Sequence, residues 1–471
     1  MNVLIVYPPN TRRTYLSRFA LTEPLTGLFL GPVLRDRHAV RLIDLRVTPD
    51  LGRELGGFEP DAVVIAASPC TQGSLDGLLT LLKMRAPEAR TLLVGAAEYG
   101  ATHVQERPLD YAHPLLDAIV PGFYLYRMQT IVPRVLDTWA DGREVHDLPG
   151  LWVRGPHLEW TCTGDVDYPA GDVGVPDRAL LGRARGRYRL GGLGNMAYVF
   201  YTDGCPFNCR FCTMSKNGND IFVRSLPDVL EELKGVTEPN VFIADFEPLQ
   251  SPEAMLRLAD SIQAEGIRKN YYMLTRADSV INQTHVLERW KEIGLKWVFL
   301  GLDGHSALRL RQIHKGSSVA THEAALATLA RLGLGVAVGM TVPPDFGLED
   351  FQELARAVKK MPPTMIDFTV ETPLPGTRLF DETEHRLTTR DWGLFDLQHA
   401  VLPTTLPLPQ FYREMLKLHL LAWRRSSRSV WKHHPLRDMV HNAGQAPGAF
   451  WSLARAHKDH GSAALARSAT A

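Results

Sequence analysis

The sequence predicts an α/β protein: an N-terminal doubly wound parallel sheet, then a partial (β/α)6 barrel, then a helical C-terminal segment. Three observations predict it. Short apolar runs alternate with amphipathic stretches over residues 1–125, the alternation restarts near residue 191, and helical periodicity replaces it after about residue 386. Strands separated by helices pair in parallel, because each crossover helix returns the chain to the same end of the sheet.

In the first run the strand candidates are Val3–Tyr7, Val40–Asp44, Asp61–Ala66, Thr91–Val94 and Asp117–Val120, with helices such as Gly27–Arg37 and Gly73–Ala86 between them. Sheets of this kind bind ligands beyond the carboxyl ends of their strands. The loops to inspect are therefore Pro8–Asn10, Ser68–Thr71, Gly95–Tyr99 and Pro121–Phe123. A helix around Met128–Trp139 completes a domain over residues 1–145. Residues 146–190 read as a connector, with a small hairpin near Gly150–Cys162 and little periodicity across Asp165–Ala179.

The barrel is expected over residues 191–385. Its strands are read at Ala197–Tyr201, Val241–Asp245, Tyr271–Thr275, Trp297–Leu302, Gly335–Val342 and Met365–Thr369. Amphipathic helices intervene at Pro227–Lys234, Pro252–Glu265, Thr284–Gly294, His322–Leu332 and Leu348–Lys360. Barrels of this type carry their chemistry at the C-terminal ends of the strands. The C-terminal segment, 386–471, contains an amphipathic helix at Phe411–Trp423, and its Ala-, Ser-, Arg- and His-rich end from Ser452 to Ala471 reads as frayed or disordered.

Bulk properties narrow the function. A chain of 471 residues holds roughly two to four domains. Lys plus Arg equals Asp plus Glu at 52 each, which argues against a dedicated nucleic-acid binder. The start, Met-Asn-Val-Leu-Ile-Val-Tyr-Pro-Pro, enters a strand directly and carries no signal-peptide pattern. No apolar run approaches the roughly 20 residues of a membrane span. A cytoplasmic location is expected. Peripheral contact with the inner face of a membrane stays open, because Trp423-Arg-Arg-Ser-Ser-Arg-Ser-Val-Trp-Lys-His-His434 mixes cations with tryptophan. The same stretch also suits a solvated helix face over the barrel.

Three of the five cysteines fall in Thr202-Asp-Gly-Cys-Pro-Phe-Asn-Cys-Arg-Phe-Cys212, just past the first barrel strand. An odd, clustered set is a poor disulfide framework and a good metal site. Cys205, Cys209 and Cys212 can each take one iron of a four-iron, four-sulfur cubane, which leaves the fourth iron open to a chelating substrate. The alternative is a structural zinc. It needs a fourth ligand from a distance, such as Cys162 or a histidine.

The C-x3-C-x2-C spacing, with aromatic Phe211 before the last cysteine, resembles the signature of the radical S-adenosylmethionine (SAM) superfamily. The resemblance covers roughly residues 195–385. It implies a [4Fe-4S] cluster on the three cysteines, SAM on the unique iron, and an external electron donor such as flavodoxin or ferredoxin. It further implies SAM contacts from Asp245 or Glu247 in Ala244-Asp-Phe-Glu-Pro248, where the family's paired glycines are absent. Arg276 at the end of the third strand and Asp303 in Gly301-Leu-Asp-Gly304 are candidate contacts of the same kind. Gly339 and Pro343 bracket the place where the family's backbone approaches adenine, and Glu371-Thr-Pro-Leu-Pro-Gly-Thr377 is a turn suited to a substrate cavity.

The N-terminal run resembles the cobalamin-binding class of that superfamily. Val3–Pro9, Pro24–Arg35, Asp61–Ser68 and Thr91–Glu98 match its strands, helix and exit loops, so Pro8, Ser68 and Gly95 are the residues that the resemblance puts beside cobalamin. Gly95 is followed by Ala96 and Ala97 where the class has paired glycines, and Pro121-Gly-Phe-Tyr124 replaces its usual acidic glycine turn. Asp36-Arg-His38 is not read as a cobalt ligand, and His38 is expected in a surface turn. Asp391-Trp-Gly-Leu-Phe-Asp-Leu-Gln-His-Ala-Val-Leu-Pro-Thr404 resembles a segment that follows the barrel in cobalamin-dependent methylases, including the hopanoid C-3 methylases. There Asp396 and His399 suit either a substrate contact or a capping role. Together these features imply methylation of an unactivated carbon in a small-molecule substrate, either a hopanoid-like lipid or a natural product such as a tetrapyrrole or antibiotic scaffold. Cyclisation or rearrangement on the same cofactors is the alternative.

Overall fold

Val3–Val6 and Ala62–Ile65 are apolar without alternation, and all of these residues are fully buried. Strands covered on both faces read this way. In the computed structural model, which describes residues 1–99, 102–166, 171–191, 193–216, 221–362, 364–433 and 436–468, they form the centre of a seven-stranded sheet. Its order is Ala39–Asp44, Asn2–Tyr7, Ala62–Ala67, Arg90–Gly95, Ala118–Val120, Trp152–Arg154, Trp160–Cys162. The first five strands are parallel and the last two antiparallel. The order reverses beside the first strand, which marks the carboxyl ends there as the ligand edge of the fold.

The hairpin near Gly150–Cys162 forms, and it does more than connect. Trp152 and Val153 pair with Ile119 and Ala118, extending the sheet. The stretch read as a connector therefore lies largely inside the first of two compact units, which comprises Met1–Arg12, Thr22–Arg187 and Leu374–Gly376. His38 departs from the surface position expected of it. It is buried and its Nε2 lies 3.1 Å from Asp137 Oδ1, because the long helix Leu125–Ala140 brings Asp137 against the turn. His38 precedes the strand Ala39–Asp44, so it sits at the opposite edge from the ligand loops.

The second unit comprises Arg13–Leu21, Tyr188–Pro373 and Thr377–Ala471. Its sheet has six parallel strands in sequence order: Met196–Val199, Asn240–Ile243, Asn270–Arg276, Leu295–Asp303, Gly335–Val342 and Met365–Val370. The first and last strands do not pair, so the barrel is partial. Alternate residues, including Val241, Met273, Val298, Val338 and Phe368, are buried in one cluster with the helices. The helix Leu348–Lys360 shows how these helices are set: Gly347 N–H bonds Asp350, acids occupy its first turn and lysines its last, matching the helix dipole.

The C-terminal end differs from expectation. Leu408–His433 and Leu436–Ser468 are helices, although the composition from residue 452 onward suggests a frayed end. Ala449, Leu453 and Ala456 are buried, the last two within the main core, so one face of this Ala-rich stretch gains packing that its composition does not announce. Residues 469–471 lie outside the described residues. Trp423 packs against Phe450 and Phe19 at 5.8 and 6.3 Å. The rest of the cationic stretch, 427–434, lies outside the described side chains. Among the described residues, no helix is long and apolar enough to cross a membrane.

Candidate active site

The cysteine loop begins where the first barrel strand ends, and one side chain fixes that exit. Asp245, just past the second strand, accepts hydrogen bonds from Tyr201 N (2.7 Å), Thr202 N (2.9 Å) and Thr202 Oγ1 (2.6 Å). It is 2% exposed, and burial pushes its pKa up to about 6. Most of its acceptor capacity is thereby occupied by the chain itself. Glu247 does the same job one strand over. It accepts from Thr275 Oγ1 (2.5 Å) and Arg276 N (2.9 Å), and burial raises its pKa to about 7.

Arg276 ties the third strand to the cysteines. Its guanidinium forks onto Asp278 at 3.0 to 3.3 Å, lies 3.6 Å from the centre of the Phe207 ring, and places Nη1 3.4 Å from Cys209 Sγ. Its Nη2 also donates to the Lys315 carbonyl. Lys315 in turn places Nζ 2.6 Å from Asp303 Oδ2. Asp303 adopts φ 59°, an uncommon conformation for a non-glycine residue, at a register shift in the fourth strand. Lys315 is a site residue that no sequence motif marks. It sits in a short polar turn whose only local signal is Gly316, and nothing periodic marks it. The pair Arg309–Glu371, also buried, fixes the turn after the sixth strand.

The chemistry of the three thiols suits a cationic cluster. Burial raises the pKa of Cys205, and it raises that of Cys212 to about 12, with the neighbouring thiols adding to the effect. Thiols whose ionisation burial and neighbouring thiols oppose need positive charge beside them to act as thiolate ligands, which iron supplies. Arg276 and Lys315 add two more cations beside them. Among the described residues no three His, Cys, Asp or Glu side chains converge on a single ion. A cubane instead takes one thiolate on each of three irons.

At the ligand edge of the first unit, Gly95 is required by close approach: a Cβ there would stand 2.5 Å from the Gly122 carbonyl, to which Gly95 N donates. Ser68 is buried and opens a turn in which its N–H bonds Thr71 Oγ1 at 3.0 Å. Pro8 is buried at the end of the first strand. Beside them, Arg46 forks onto Asp44 (2.8 and 2.6 Å), and Glu98 Oε2 accepts from Thr26 Oγ1 at 3.1 Å. Glu98 Oε1 is buried with no hydrogen-bond partner among the described residues. His399 and Asp396 form a capping group. Asp396 accepts from Gln398 N, His399 N and His399 Nδ1, and His399 Nε2 lies 3.1 Å from Asp459.

A partial barrel of six parallel strands, with three cysteines on the loop after its first strand, defines a radical SAM enzyme, and residues 199–358 match the radical SAM superfamily. The chain belongs to that superfamily. It is 32% identical over 433 residues to the hopanoid C-3 methylase of Methylococcus capsulatus, spanning 90% of this chain and 81% of that one. Solved structures that share its fold include the following two. One is OxsB, a cobalamin-dependent SAM radical enzyme with aqua-cobalamin and SAM bound, at 12% identity and TM-score 0.69 over 96% of this chain and 72% of that one. The other is TsrM from Kitasatospora setae, a radical SAM methyltransferase with tryptophan substrate and a SAM analogue bound. It matches at 13% identity and TM-score 0.64 over the whole of both chains.

Proposed function

We propose that this protein is a cobalamin-dependent radical SAM methyltransferase that methylates an unactivated carbon of a small apolar molecule, with hopanoid-like lipids the leading class. The observation that carries the reading is the cysteine loop on the first barrel strand, in a chain 32% identical to a hopanoid C-3 methylase across most of both lengths.

In this reading Cys205, Cys209 and Cys212 hold a [4Fe-4S] cluster, and the loops at Pro8, Ser68 and Gly95 hold cobalamin. When bound, the cluster supplies the electron that cleaves SAM, and cobalamin supplies a methyl carrier. The protein's own groups do the positioning. Asp245 and Glu247 hold the strand exits from which the cysteine loop and Arg276 project. Arg276 donates to Cys209 Sγ, so it stabilises negative charge on that sulfur, and its Asp278 fork keeps it aimed. Asp303 keeps the Lys315 ammonium beside the loop. The buried Glu98 Oε1, which lacks a hydrogen bond among the described residues and lies 4.0 Å from Arg46 Nη1, fits an amide donor of the kind that surrounds a corrin ring, and the close Gly95–Gly122 approach keeps a side chain off that strand end. An external donor such as flavodoxin or ferredoxin would deliver the electron.

The test is anaerobic reconstitution with iron, sulfide and hydroxocobalamin, followed by metal analysis and product analysis with SAM. About four irons and one cobalt per chain, with both 5′-deoxyadenosine and S-adenosylhomocysteine formed, is the expected result. Iron without cobalt sinks the methyl-carrier assignment. 5′-Deoxyadenosine without S-adenosylhomocysteine assigns cyclisation or rearrangement instead.

A further inference from the structure

The registers of the last four barrel strands place their interior residues in rows. Leu274, Phe299, Ala337 and Met365 pair in succession across the four strands. One layer nearer the C-terminal ends, Arg276, Gly301, Gly339 and Asp367 pair in the same way. Residues of the other parity, such as Val298, Leu300, Val338, Ile366 and Phe368, are buried against the helices. Side chains alternate across a sheet, so both rows face the barrel interior.

The two rows differ in chemistry. The lower row is an apolar floor. The upper row has two glycines in its middle, Arg276 at one end, and a carboxylate at the other. Strands about 4.8 Å apart put the two charged positions roughly 14 Å from each other, because three strand spacings separate them. Arg276 is engaged with Asp278, Cys209 and Lys315. Asp367 is not engaged. Burial is the only influence on its carboxyl, raising its pKa to about 6, and among the described residues it has no hydrogen-bond or ion-pair partner. The side chain is nevertheless partly accessible, as are Leu274, Phe299, Gly301, Gly339 and Met365, whereas the residues of opposite parity are buried. These are the features of a group lining an internal space. Tyr15 feels its charge: burial and then Asp367 raise the Tyr15 pKa.

An unpaired carboxylate inside an apolar wall costs folding free energy. It persists at a site where a ligand completes its hydrogen bonds. We propose that Asp367 is the polar anchor of the substrate, accepting a hydrogen bond from a hydroxyl or amine on an otherwise apolar body that lies over Gly301 and Gly339 above the Leu274–Met365 floor. This inference rests on the methyltransferase reading and adds the substrate's chemistry to it: one hydrogen-bond donor on a large apolar skeleton. It also makes Asp367 a specificity-determining residue, because a site built to bond a hydroxyl rejects the analogue that lacks it.

The test uses the reconstituted full chain and two probes sharing a pentacyclic skeleton, the triterpene alcohol diplopterol and the hydrocarbon diploptene, which lacks the hydroxyl. Equilibrium retention of each labelled probe is measured for the wild type, Asp367→Asn and Asp367→Leu, together with SAM retention and Tm. The wild type is expected to retain the alcohol about 10- to 100-fold more tightly than the hydrocarbon. Asp367→Leu should erase that preference, Asp367→Asn should keep part of it, and Tm should hold or rise because no internal bond is lost. The inference is overturned by a preference that survives in Asp367→Leu, or by a wild type that binds neither probe. A Tm that falls would make the carboxylate structural. SAM retention that falls further than alcohol retention would give Asp367 to SAM. A wild type that forms no 5′-deoxyadenosine with its cluster in place defeats the methyltransferase reading alone, since probe binding is read separately.

Discussion

The Asp245 carboxylate and the Thr202 hydroxyl meet at 2.6 Å, and the same carboxylate takes the backbone N–H groups of Tyr201 and Thr202. The exit of the first barrel strand is thus held by a side chain of the second. Cys205 follows three residues later, so the loop's starting direction depends on this bond set.

Asp245→Asn should therefore act on the cluster without touching it. An amide cannot accept from three donors as a carboxylate does, and one buried N–H loses its partner. A stability loss of about 2–4 kcal/mol is expected, read as a lower denaturant midpoint. Iron per chain after reconstitution should fall with it. Thr202→Val should show the same direction at about 1 kcal/mol. Full iron loading in Asp245→Asn at unchanged stability would remove this account.

Replacing Cys205, Cys209 or Cys212 singly with Ala should abolish the brown colour and reduce iron from about four per chain to below one. Tm of the iron-free protein should stay near that of the wild-type apoprotein, because the three thiols lie in a loop outside the main apolar cluster of the barrel. A colourless wild type that retains zinc through reconstitution would return the site to the structural-metal alternative.

His399 predicts a loss of stability at alkaline pH. Burial lowers its pKa, but Asp396 and Asp459 outweigh burial and raise it to about 9. An unfolded histidine titrates near 6.5. The folded state holds the proton more tightly, so the contribution is complete below about pH 6.5 and disappears as pH rises through 9. Its size is at most on the order of 3 kcal/mol, with Asp459 42% exposed and partly screened. Denaturant midpoints between pH 6 and 10 should fall in the wild type and flatten in His399→Gln.

His419 predicts the opposite slope. Burial lowers its pKa to about 3, and contact with the Phe368 backbone only partly offsets this. The unfolded chain takes up a proton there near pH 6.5 while the folded chain does not. Its contribution is present above pH 6.5 and is lost as pH falls toward 3, by at most on the order of 5 kcal/mol. His419→Leu should reduce the acid sensitivity between pH 6 and 4, measured by the same midpoints.

Much of the architecture was legible because it is written in local pattern. Short uninterrupted runs such as Val3–Val6 and Ala62–Ala67, rich in β-branched residues, read as strands covered on both faces, and Leu348–Lys360 carries its own charged ends. The cysteine triplet stands out for the same reason, since its three cysteines lie within eight residues. What escaped is what packing decides. The Trp152–Arg154 hairpin becomes sheet because an open strand edge is available to it. Arg13–Leu21 folds with the second unit although the chain on both sides of it belongs to the first. His38 is buried because Asp137 arrives from about a hundred residues away in sequence.

The sequence by itself determined the fold class, the order of its strands and helices, and the loop that carries the cysteines. Only the tertiary structure decided which carboxylates are engaged and which is left open. Asp245 and Glu247, candidate ligand contacts by sequence, accept from backbone N–H and threonine hydroxyl donors, while Asp367, in sequence a strand residue like its neighbours, has no partner among the described residues. The reason is register. Parallel strands are joined through helices, so no local signal states which residue of one strand stands beside which residue of the next. Arg276, Gly301, Gly339 and Asp367 become a row only when the sheet assembles.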